Sequence, residues 1–401
     1  MINNPNQLRA FLNKRKSEHL YRSLRIAESA QQPRMSIDGK QYLTFCSNDY
    51  LGLANHPEII QSFQQAATQY GVGSGAAHLI NGHSVEHQKL EEELAEFTGR
   101  ERALFFSTGY MANLGVVNAL MDRGERIFSD RLNHASLIDA GILSGARVQR
   151  YAHNDLQMLE KLLAKNNSKN SMILSDGVFS MDGDVARVNE LARLAQQNNS
   201  WLMIDDAHGF GTLGKTGAGL IEQQKLSQQD VPILMATLGK ALGTAGAFVA
   251  GSHDLIEFLI QSARTYIFTT AMPAAIAAAT RTSLKIVRQE EWRREHLKHL
   301  VKQFRSGAGQ LGLELMPSDT AIQPVMVGSP EKALLMSQQL QDKGILLTPI
   351  RPPTVPRGTA RLRVTLSARH TSEDIDLLLD AFEMCNKQSG KEKIYKKGGD
   401  G

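Results

Sequence analysis

A lysine flanked by glycine and apolar residues follows a short apolar run in the middle of the chain. Lys240 lies just after residues 233–237, which we predict to form a strand. Burial disfavours a charged ammonium and lowers its pKa, so a lysine in such a setting can act as a nucleophile or a base. A lysine at a loop edge can also extend its amine into water along an apolar stem. Taken alone, the pattern supports both interpretations about equally.

A carboxylate pair with a nearby histidine closes a second apolar run. Asp205 and Asp206 follow residues 201–204, and His208 comes three positions after Asp205. A carboxylate at the end of a buried strand is costly unless a cation or hydrogen bonds compensate it. The alternatives are a cap for the following loop and a metal pair. The sequence offers no convincing further ligands for a metal.

Two further features begin predicted helices. The segment around Gly109 and Tyr110 separates an apolar run from a predicted helix, where free backbone N–H groups can bind an anion. Alone, this segment is more typical of an ordinary turn. His134 begins the predicted helix 134–143, where an imidazole could stack on a planar ligand. A lone histidine is more often a hydrogen-bonded loop residue.

One competing motif also follows a predicted strand. Residues 209–216 match the pattern Gly-x-x-x-x-Gly-Lys-Thr of phosphate-binding loops. Such a loop must open directly into a helix, and here Gly217 and Gly219 follow at once, each costing about 1 kcal/mol in a helix. A P-loop nucleotide-binding protein therefore remains only a remote alternative.

These features together match the needs of one cofactor. Pyridoxal 5′-phosphate (PLP) requires N–H donors for its phosphate, a carboxylate for its ring nitrogen and a lysine for its aldehyde. The anion-binding segment, Asp205 and Lys240 supply one of each.

The elements that position these residues alternate between short apolar strands and amphipathic helices. This alternation predicts an α/β fold with a large, mostly parallel sheet covered on both faces, and ligands bind such sheets at the carboxyl ends of the strands. We predict an N-terminal helical segment in residues 1–50, with a helix over 7–30, and a large PLP-binding domain in 51–285. A smaller α+β domain in 286–387, with a half-exposed strand at 361–366, and a disordered tail in 388–401 complete the prediction.

The composition limits the function classes. The chain has 401 residues and a formal net charge of +4, which is too mild to indicate nucleic-acid binding. Two cysteines, Cys46 and Cys385, cannot form a disulfide framework. No stretch has the length of a membrane span or the features of a signal peptide, so we expect a cytoplasmic enzyme that binds no membrane.

Taken together, these features resemble those of a known family, the α-oxoamine synthases, which are fold-type I PLP-dependent transferases. The resemblance covers residues from about 22 to about 382. It rests on six runs in order: Asn48-Asp49-Tyr50-Leu51-Gly52-Leu53, Ser107-Thr108-Gly109-Tyr110, Gly177-Val178-Phe179-Ser180-Met181-Asp182-Gly183-Asp184, Asp205-Asp206-Ala207-His208-Gly209, Thr237-Leu238-Gly239-Lys240 and Ile350-Arg351-Pro352-Pro353-Thr354-Val355-Pro356. One departure lies in the loop 73–81, where residues 76–78 read Ala-Ala-His instead of the small and basic residues that the family leads us to expect.

The resemblance implies roles for the residues around the cofactor ring. Lys240 would hold PLP as a Schiff base and later remove the α-proton of the amino acid. Asp205 would pair with the pyridinium nitrogen, His208 and Ser180 would bond near the phenolic oxygen, and His134 would stack on the ring.

It also implies contacts at the phosphate and the substrates. The phosphate would be held by Gly109, Tyr110 and Thr237, and by Thr269 and Thr270 from the second subunit of a homodimer. The amino-acid carboxylate would be clamped by Arg363. The acyl substrate would be lined by Arg22, Asn48 and Thr354.

The implied reaction is a decarboxylative condensation of an amino acid with an acyl thioester. The run that begins at Arg351 favours L-alanine and a pimeloyl thioester, carried by coenzyme A or acyl carrier protein, as in biotin biosynthesis. A relative that joins glycine to acetyl-CoA is the first alternative. A catalytically silent partner subunit is another, and the presence of Lys240 argues against it.

Overall fold

The structure, a computed structural model, describes residues 4–18 and 20–397. Its strands are β1 (Arg34–Ile37), β2 (Lys40–Thr44), β3 (Arg102–Phe106), β4 (Arg126–Asp130), β5 (Arg147–Tyr151), β6 (Ser171–Asp176), β7 (Trp201–Asp205), β8 (Ile233–Thr237), β9 (Ala247–Gly251), β10 (Ile322–Gly328), β11 (Ile345–Leu346), β12 (Thr348–Ile350) and β13 (Ala360–Thr365). Its α-helices are α1 (Asn6–Ser17), α2 (Pro57–Tyr70), α3 (Val85–Thr98), α4 (Gly109–Leu120), α5 (Ala135–Leu143), α6 (Leu156–Leu163), α7 (Val188–Gln197), α8 (Leu220–Gln223), α9 (His253–Ser262), α10 (Arg264–Ile267), α11 (Ala274–Gln289), α12 (Trp292–Gln310), α13 (Pro330–Asp342) and α14 (Ser372–Lys397). A π-helical turn, His78–Gly82, precedes α3.

A seven-stranded sheet forms the centre of the molecule. Its strand order is β3-β9-β8-β7-β6-β4-β5, and all neighbours are parallel except at β9, which is antiparallel to both of its neighbours. Strands β6 to β9 are buried along nearly their whole length, as expected for a sheet covered by helices on both faces. The predicted mostly parallel α/β fold is confirmed.

The register of the parallel strands brings their carboxyl ends together. Asp176, at the end of β6, pairs in register with Asp205, at the end of β7. Asp205 in turn lies beside Met235 of β8. Polar residues that follow these strands therefore meet at one edge of the sheet.

Two smaller three-stranded sheets contain the strands outside this core. One has the order β10-β13-β12, and the other joins β1 and β2 of the N-terminal segment to β11. The prediction of a half-exposed strand at 361–366 was wrong, because β13 is buried throughout. Its guanidinium groups are compensated inside the protein: Arg361 pairs with Asp182, and Arg363 donates to the Ser180 carbonyl.

The two ends of the chain differ from their predictions. The helix predicted over 7–30 ends at Ser17, and the chain then pairs Ala27 with Ile37 instead of continuing as a helix. At the other end, α14 runs to Lys397, so residues 388–397 have a helical backbone in place of the expected disorder. A capping box of Thr371 and Asp374 starts this helix, and the Lys, Gln and Glu residues that follow favour helix.

Residues 398–401 of the predicted tail lie outside the described residues, and the predicted domain limits remain a prediction. Within the described part of the chain, no helix combines the length and the apolar character needed to cross a membrane.

Candidate active site

A cleft of about 190 Å³ opens at the carboxyl ends of the central strands. It lies where β6, β7 and β8 end and where α4 and α5 begin. Its lining consists of Gly109, Tyr110, Asn113, His134, Ser136, Asp176, Val178, Asp205, Ala207, His208, Met235, Thr237 and Lys240. Seven of the residues predicted from the sequence are therefore brought into one cleft.

Lys240 lies in the turn that follows β8, and its amine enters the cleft. Its Nζ is 2.9 Å from Nε2 of His208. Burial lowers the pKa of Lys240 to about 8, and the nearby carboxylates of Asp205 and Asp176 oppose this shift only in part. About one tenth of this amine is therefore unprotonated at pH 7, far more than of a solvated lysine.

Asp205 ends β7 and is held by two hydrogen bonds inside the protein. The amide Nδ2 of Asn113 donates to Oδ2 at 2.8 Å, and the backbone N–H of Ala207 donates to Oδ1 at 3.1 Å. Each carboxylate oxygen can accept a further bond, so one partner in the cleft can still be bound. The carboxylate is oriented before any ligand arrives.

The neighbouring Asp206 does not belong to the cleft. Its Oδ2 accepts the N–H of Leu220 at 2.7 Å on the other side of the strand end. Burial raises the pKa of Asp206 to about 8. This residue fixes the loop before α8, and because it is largely neutral near pH 7 it adds little charge to the cleft.

His208 links the lysine to a buried tyrosine. Its Nδ1 is 2.7 Å from the hydroxyl of Tyr50, while its Nε2 faces Lys240. The Tyr50 hydroxyl also donates to Oδ1 of Asn48 at 3.2 Å. Burial holds the pKa of His208 well below its usual value, so the imidazole is neutral at physiological pH.

His134 precedes α5 and is held from both its backbone and its side chain. Its Nδ1 lies 2.7 Å from Oγ of Ser136. Its backbone N–H donates to the carboxylate of Asp176, with distances of 3.1 and 3.2 Å to the two oxygens. Burial raises the pKa of Asp176, and the charge of Asp205 raises it further.

The start of α4 forms the anion-binding end of the cleft. Thr108 caps this helix, since its Oγ1 accepts the N–H of Met111 at 3.1 Å. The N–H groups of Gly109 and Tyr110 precede the first helical bond and point out of the helix start, where a negative charge is favoured. Thr237 lies opposite, and its Oγ1 donates to the Gly246 carbonyl at 3.0 Å.

Arg363 comes from β13 and approaches the cleft from the smaller sheet. Its Nε donates to the carbonyl of Ser180 at 2.6 Å, and its two Nη atoms lie 3.3 and 3.4 Å from Oδ1 of Asn48. Among the described residues, no carboxylate forms an ion pair with this buried guanidinium. Ser180 contributes its backbone carbonyl here, whereas its hydroxyl forms no hydrogen bond with the part of the chain that the structure describes.

The other predicted substrate and phosphate residues lie outside this cleft. Arg22 and Thr354 line a second cavity of about 710 Å³, which reaches Ser47, the neighbour of Asn48. Thr269 and Thr270 do not line the cleft of their own chain. Thr270 instead forms a bridge with Ala77.

Sequence reasoning missed several residues of the site. Asp176 ends an apolar strand just as Asp205 does, so the same pattern could have identified it. Asn113 lies one helical turn after Gly109, and this spacing is only a weak indication that its side chain faces the site. Tyr50 stood in a motif of the family, but only the fold shows that it reaches His208.

The segment that matched a phosphate-binding loop does not form one. Residues 209–216 form successive turns, Lys215 is exposed, and the next helix, α8, has only four residues. A helix does not begin directly after Thr216, so the N-terminal dipole that such a loop requires is missing. The P-loop alternative is not supported.

Comparisons with known proteins agree on one family. A model of aminotransferase class I and II matches residues 40–382. The 8-amino-7-oxononanoate synthase of Cellvibrio japonicus is 58% identical over 375 residues, which are 94% of each chain.

Two solved structures extend this similarity. The 8-amino-7-oxononanoate synthase of Francisella tularensis has 31% identity and a TM-score of 0.76 over 87% of this chain and 98% of its own. A lysine-to-alanine variant of serine palmitoyltransferase from S. paucimobilis, with bound PLP–myriocin aldimine, has 30% identity and a TM-score of 0.90 over 96% of this chain and 98% of its own.

Proposed function

Because this chain belongs to the aminotransferase class I and II family, with 8-amino-7-oxononanoate synthases among its relatives, we propose that its cleft condenses L-alanine with a pimeloyl thioester. The chain is a PLP-dependent acyltransferase of the decarboxylating kind, acting as an 8-amino-7-oxononanoate synthase. The products would be 8-amino-7-oxononanoate, carbon dioxide and the free carrier thiol. The observation that carries the proposal is the amine of Lys240, which shares one cleft with the carboxylate of Asp205.

The donor groups of the cleft fit PLP. Lys240 has an amine with a lowered pKa for the aldehyde, and Asp205 has acceptor capacity left for the ring nitrogen. The start of α4, with Gly109 and Tyr110, suits the phosphate, and Thr237 lies opposite. His134, His208 and Ser180 would complete the contacts to the ring.

When bound, PLP supplies an electron sink that stabilises negative charge at the α-carbon of the amino acid. The protein must then remove one proton and hold it. The amine of Lys240, with its pKa of about 8, is suited to take the α-proton. His208, neutral and in contact with both Lys240 and Tyr50, keeps that amine oriented and can share the proton.

Arg363 is suited to bind the carboxylate of the amino acid. It is buried, its Nε is fixed by the Ser180 carbonyl, and its two Nη atoms have only long contacts to Asn48. A planar guanidinium can bind a carboxylate with two parallel hydrogen bonds. This would fix the α-carbon near Lys240.

The substitution Arg363→Lys tests this role. An ammonium cannot form the paired bonds, and a charge-assisted hydrogen bond contributes about 1.5–3 kcal/mol, so we expect KM for alanine to rise roughly 10- to 100-fold. KM for the acyl thioester should change little. Steady-state kinetics with each substrate varied in turn measure both constants, and an unchanged KM for alanine would contradict the assignment.

The lowered pKa of Lys240 predicts a pH dependence for cofactor uptake. The unprotonated fraction of an amine with a pKa of about 8 rises about tenfold per pH unit below that value and levels off above it. We expect the initial rate of PLP uptake by PLP-free protein, measured by absorbance, to rise about tenfold per pH unit below pH 8 and to level off above it. The control is Nα-acetyl-lysine, with a pKa of about 10.4, whose rate should keep rising. A protein curve parallel to this control would be inconsistent with the lowered pKa.

The second cavity is suited to the acyl chain. Arg22, Thr354 and Ser47 line it, and Asn48 connects it to the cleft through its contact with Arg363. Thr269 and Thr270 would contact the phosphate in a second copy of the chain, so the active form would be a homodimer. We expect a cytoplasmic enzyme, because thiols such as those of Cys46 and Cys385, which form no disulfide, persist in that compartment.

The substrate assignment is tested by the release of carrier thiol. Purified enzyme loaded with PLP would be assayed with alanine, glycine and serine against pimeloyl and acetyl thioesters. We expect alanine with the pimeloyl thioester to have the highest kcat/KM. A preference for glycine with acetyl-CoA would instead support the related ligase. Comparing coenzyme A with acyl carrier protein as the carrier would identify the acyl donor.

A further inference from the structure

Three histidines meet in the segment that joins the π-helical turn to α3. His78 begins the turn, His83 follows it, and His87 lies in the first turn of α3. Their ring centroids form a nearly equilateral triangle with sides of 5.1, 5.2 and 5.5 Å. One ring nitrogen from each lies within 4.8 Å of the other two. The cluster is separate from the cleft that contains Lys240.

These distances match a tetrahedral metal site. A zinc–nitrogen bond is about 2.0–2.1 Å long, and three imidazoles around a tetrahedral ion therefore have ring centroids roughly 5 Å apart. The triangle already has this size. The nitrogens must separate only a little, since Nδ1 of His78 and Nδ1 of His83 now lie 2.9 Å apart.

The outer nitrogen of His87 has a partner of the kind that metal-binding histidines use, and that of His83 faces such a group at a longer distance. Nε2 of His87 donates to the carbonyl of Met272 at 2.7 Å, which leaves its Nδ1 as the nitrogen with the electron pair, and this Nδ1 now accepts the N–H of Ser84. Nε2 of His83 lies 4.0 Å from Oε2 of Glu91, whose other oxygen is fixed by the N–H of Phe105. Carbonyl and carboxylate partners of this kind orient the ring and raise the basicity of its inner nitrogen.

We propose that His78, His83 and His87 bind one divalent transition-metal ion, with Zn²⁺ as the best fit, through their Nδ1 atoms. The fourth position would be open to water, because the side chain of His83 is 26% exposed. Binding would move the proton shared between His78 and His83 to an outer nitrogen. It would also displace the N–H of Ser84, which now lies 2.9 Å from Nδ1 of His87.

Packing around the cluster supports this proposal, because His78 and His87 are both buried and are held in place by their neighbours. His78 also stacks on Tyr266 at 4.8 Å, and its neighbour Ala77 bridges to Thr270. A metal here would fix both segments against α3.

The cluster lies partly in the loop where the sequence departs from its family. His78 is one of the three residues that replace the expected small and basic ones, so the site would belong to this chain and to relatives that share its histidines. Metal binding at this site does not depend on the proposed reaction.

The test uses full-length holoenzyme without a polyhistidine tag, freed of metal by a chelator. Zn²⁺ would be titrated in competition with a chromophoric chelator. We expect one Zn²⁺ per chain, bound about tenfold more weakly in Glu91→Gln and at least about a hundredfold more weakly in His83→Gln, which loses a ligand. The matched control is His253→Gln, whose histidine is exposed and does not belong to the cluster, and it should bind like the unmodified protein.

Equal Zn²⁺ affinity in the His83→Gln variant and in the control would overturn the proposal, since any metal would then be held elsewhere. Co²⁺ gives a second measurement on the unmodified protein, which remains decisive if a variant fails to fold. A strong visible spectrum of a tetrahedral nitrogen-ligated Co²⁺ supports the site. A weak spectrum like that of hydrated Co²⁺ contradicts it.

Discussion

Lys240→Ala is expected to lower the rate of carrier-thiol release by at least about a thousandfold. The substitution removes the amine that would join the cofactor and also the base that would take the α-proton, and a positioned base alone contributes about 10²- to 10⁴-fold. PLP could still bind through its phosphate and ring contacts, so the variant should retain a bound but easily lost cofactor. Thiol release and retained PLP absorbance after gel filtration measure the two effects separately.

Lys215→Ala is the matched control for this substitution. Lys215 is the exposed lysine of the segment that resembles a phosphate-binding loop. We expect its loss to leave activity and cofactor content unchanged. Normal activity in the Lys240 variant would remove the basis of the proposed mechanism, and lost activity in the Lys215 variant would revive the nucleotide-binding alternative.

The large predicted effect follows from the surroundings of one amine. Burial lowers the pKa of Lys240. The negative charges of Asp205 and Asp176 favour the protonated amine and so make this decrease smaller. His208 contacts the amine but carries no positive charge, because its own pKa is held low. At neutral pH a larger fraction of this amine is therefore unprotonated than of a solvated lysine, and the amine is held in one orientation.

The sequence was sufficient to predict the central sheet and its polar edge. Buried parallel strands are continuous apolar runs, so Asp205 and Lys240 stood out as the first polar groups after such runs. The mostly parallel arrangement then required them to lie at the same edge. The contacts between them could not be predicted, because they depend on strand register, as the pairing of Asp176 with Asp205 illustrates.

Contacts between distant parts of the chain limited the prediction in the smaller sheets. Arg361 and Arg363 alternate with apolar residues and so resembled the exposed face of a strand. Their partners, Asp182 and the Ser180 carbonyl, lie 179 and 183 residues earlier in the chain, and local patterns carry no information about such pairs. For the same reason the N-terminal helix was predicted too long, since the pairing of Ala27 with Ile37 replaces its second half.

Asp205→Asn is expected to cause the second large loss, of about 10²- to 10⁴-fold in kcat/KM. An asparagine has the same shape and keeps an oxygen for the N–H of Asn113 or Ala207, but it cannot neutralise a positive charge on the ring nitrogen of PLP. Removing one partner of a buried charge pair costs about 3–5 kcal/mol, and each 1.4 kcal/mol is a factor of ten.

The adjacent carboxylate provides the control that isolates this charge. Asp206 is equally buried, but it faces Leu220, and burial raises its pKa to about 8, so it is largely neutral at physiological pH. Asp206→Asn therefore changes neither shape nor charge greatly and should keep nearly full activity. Thiol release, cofactor affinity and the melting temperature would be measured for both variants. Equal losses would mean that the strand end needs both carboxylates for folding, whereas a loss confined to Asp205→Asn would assign the charge in the cleft to the chemistry.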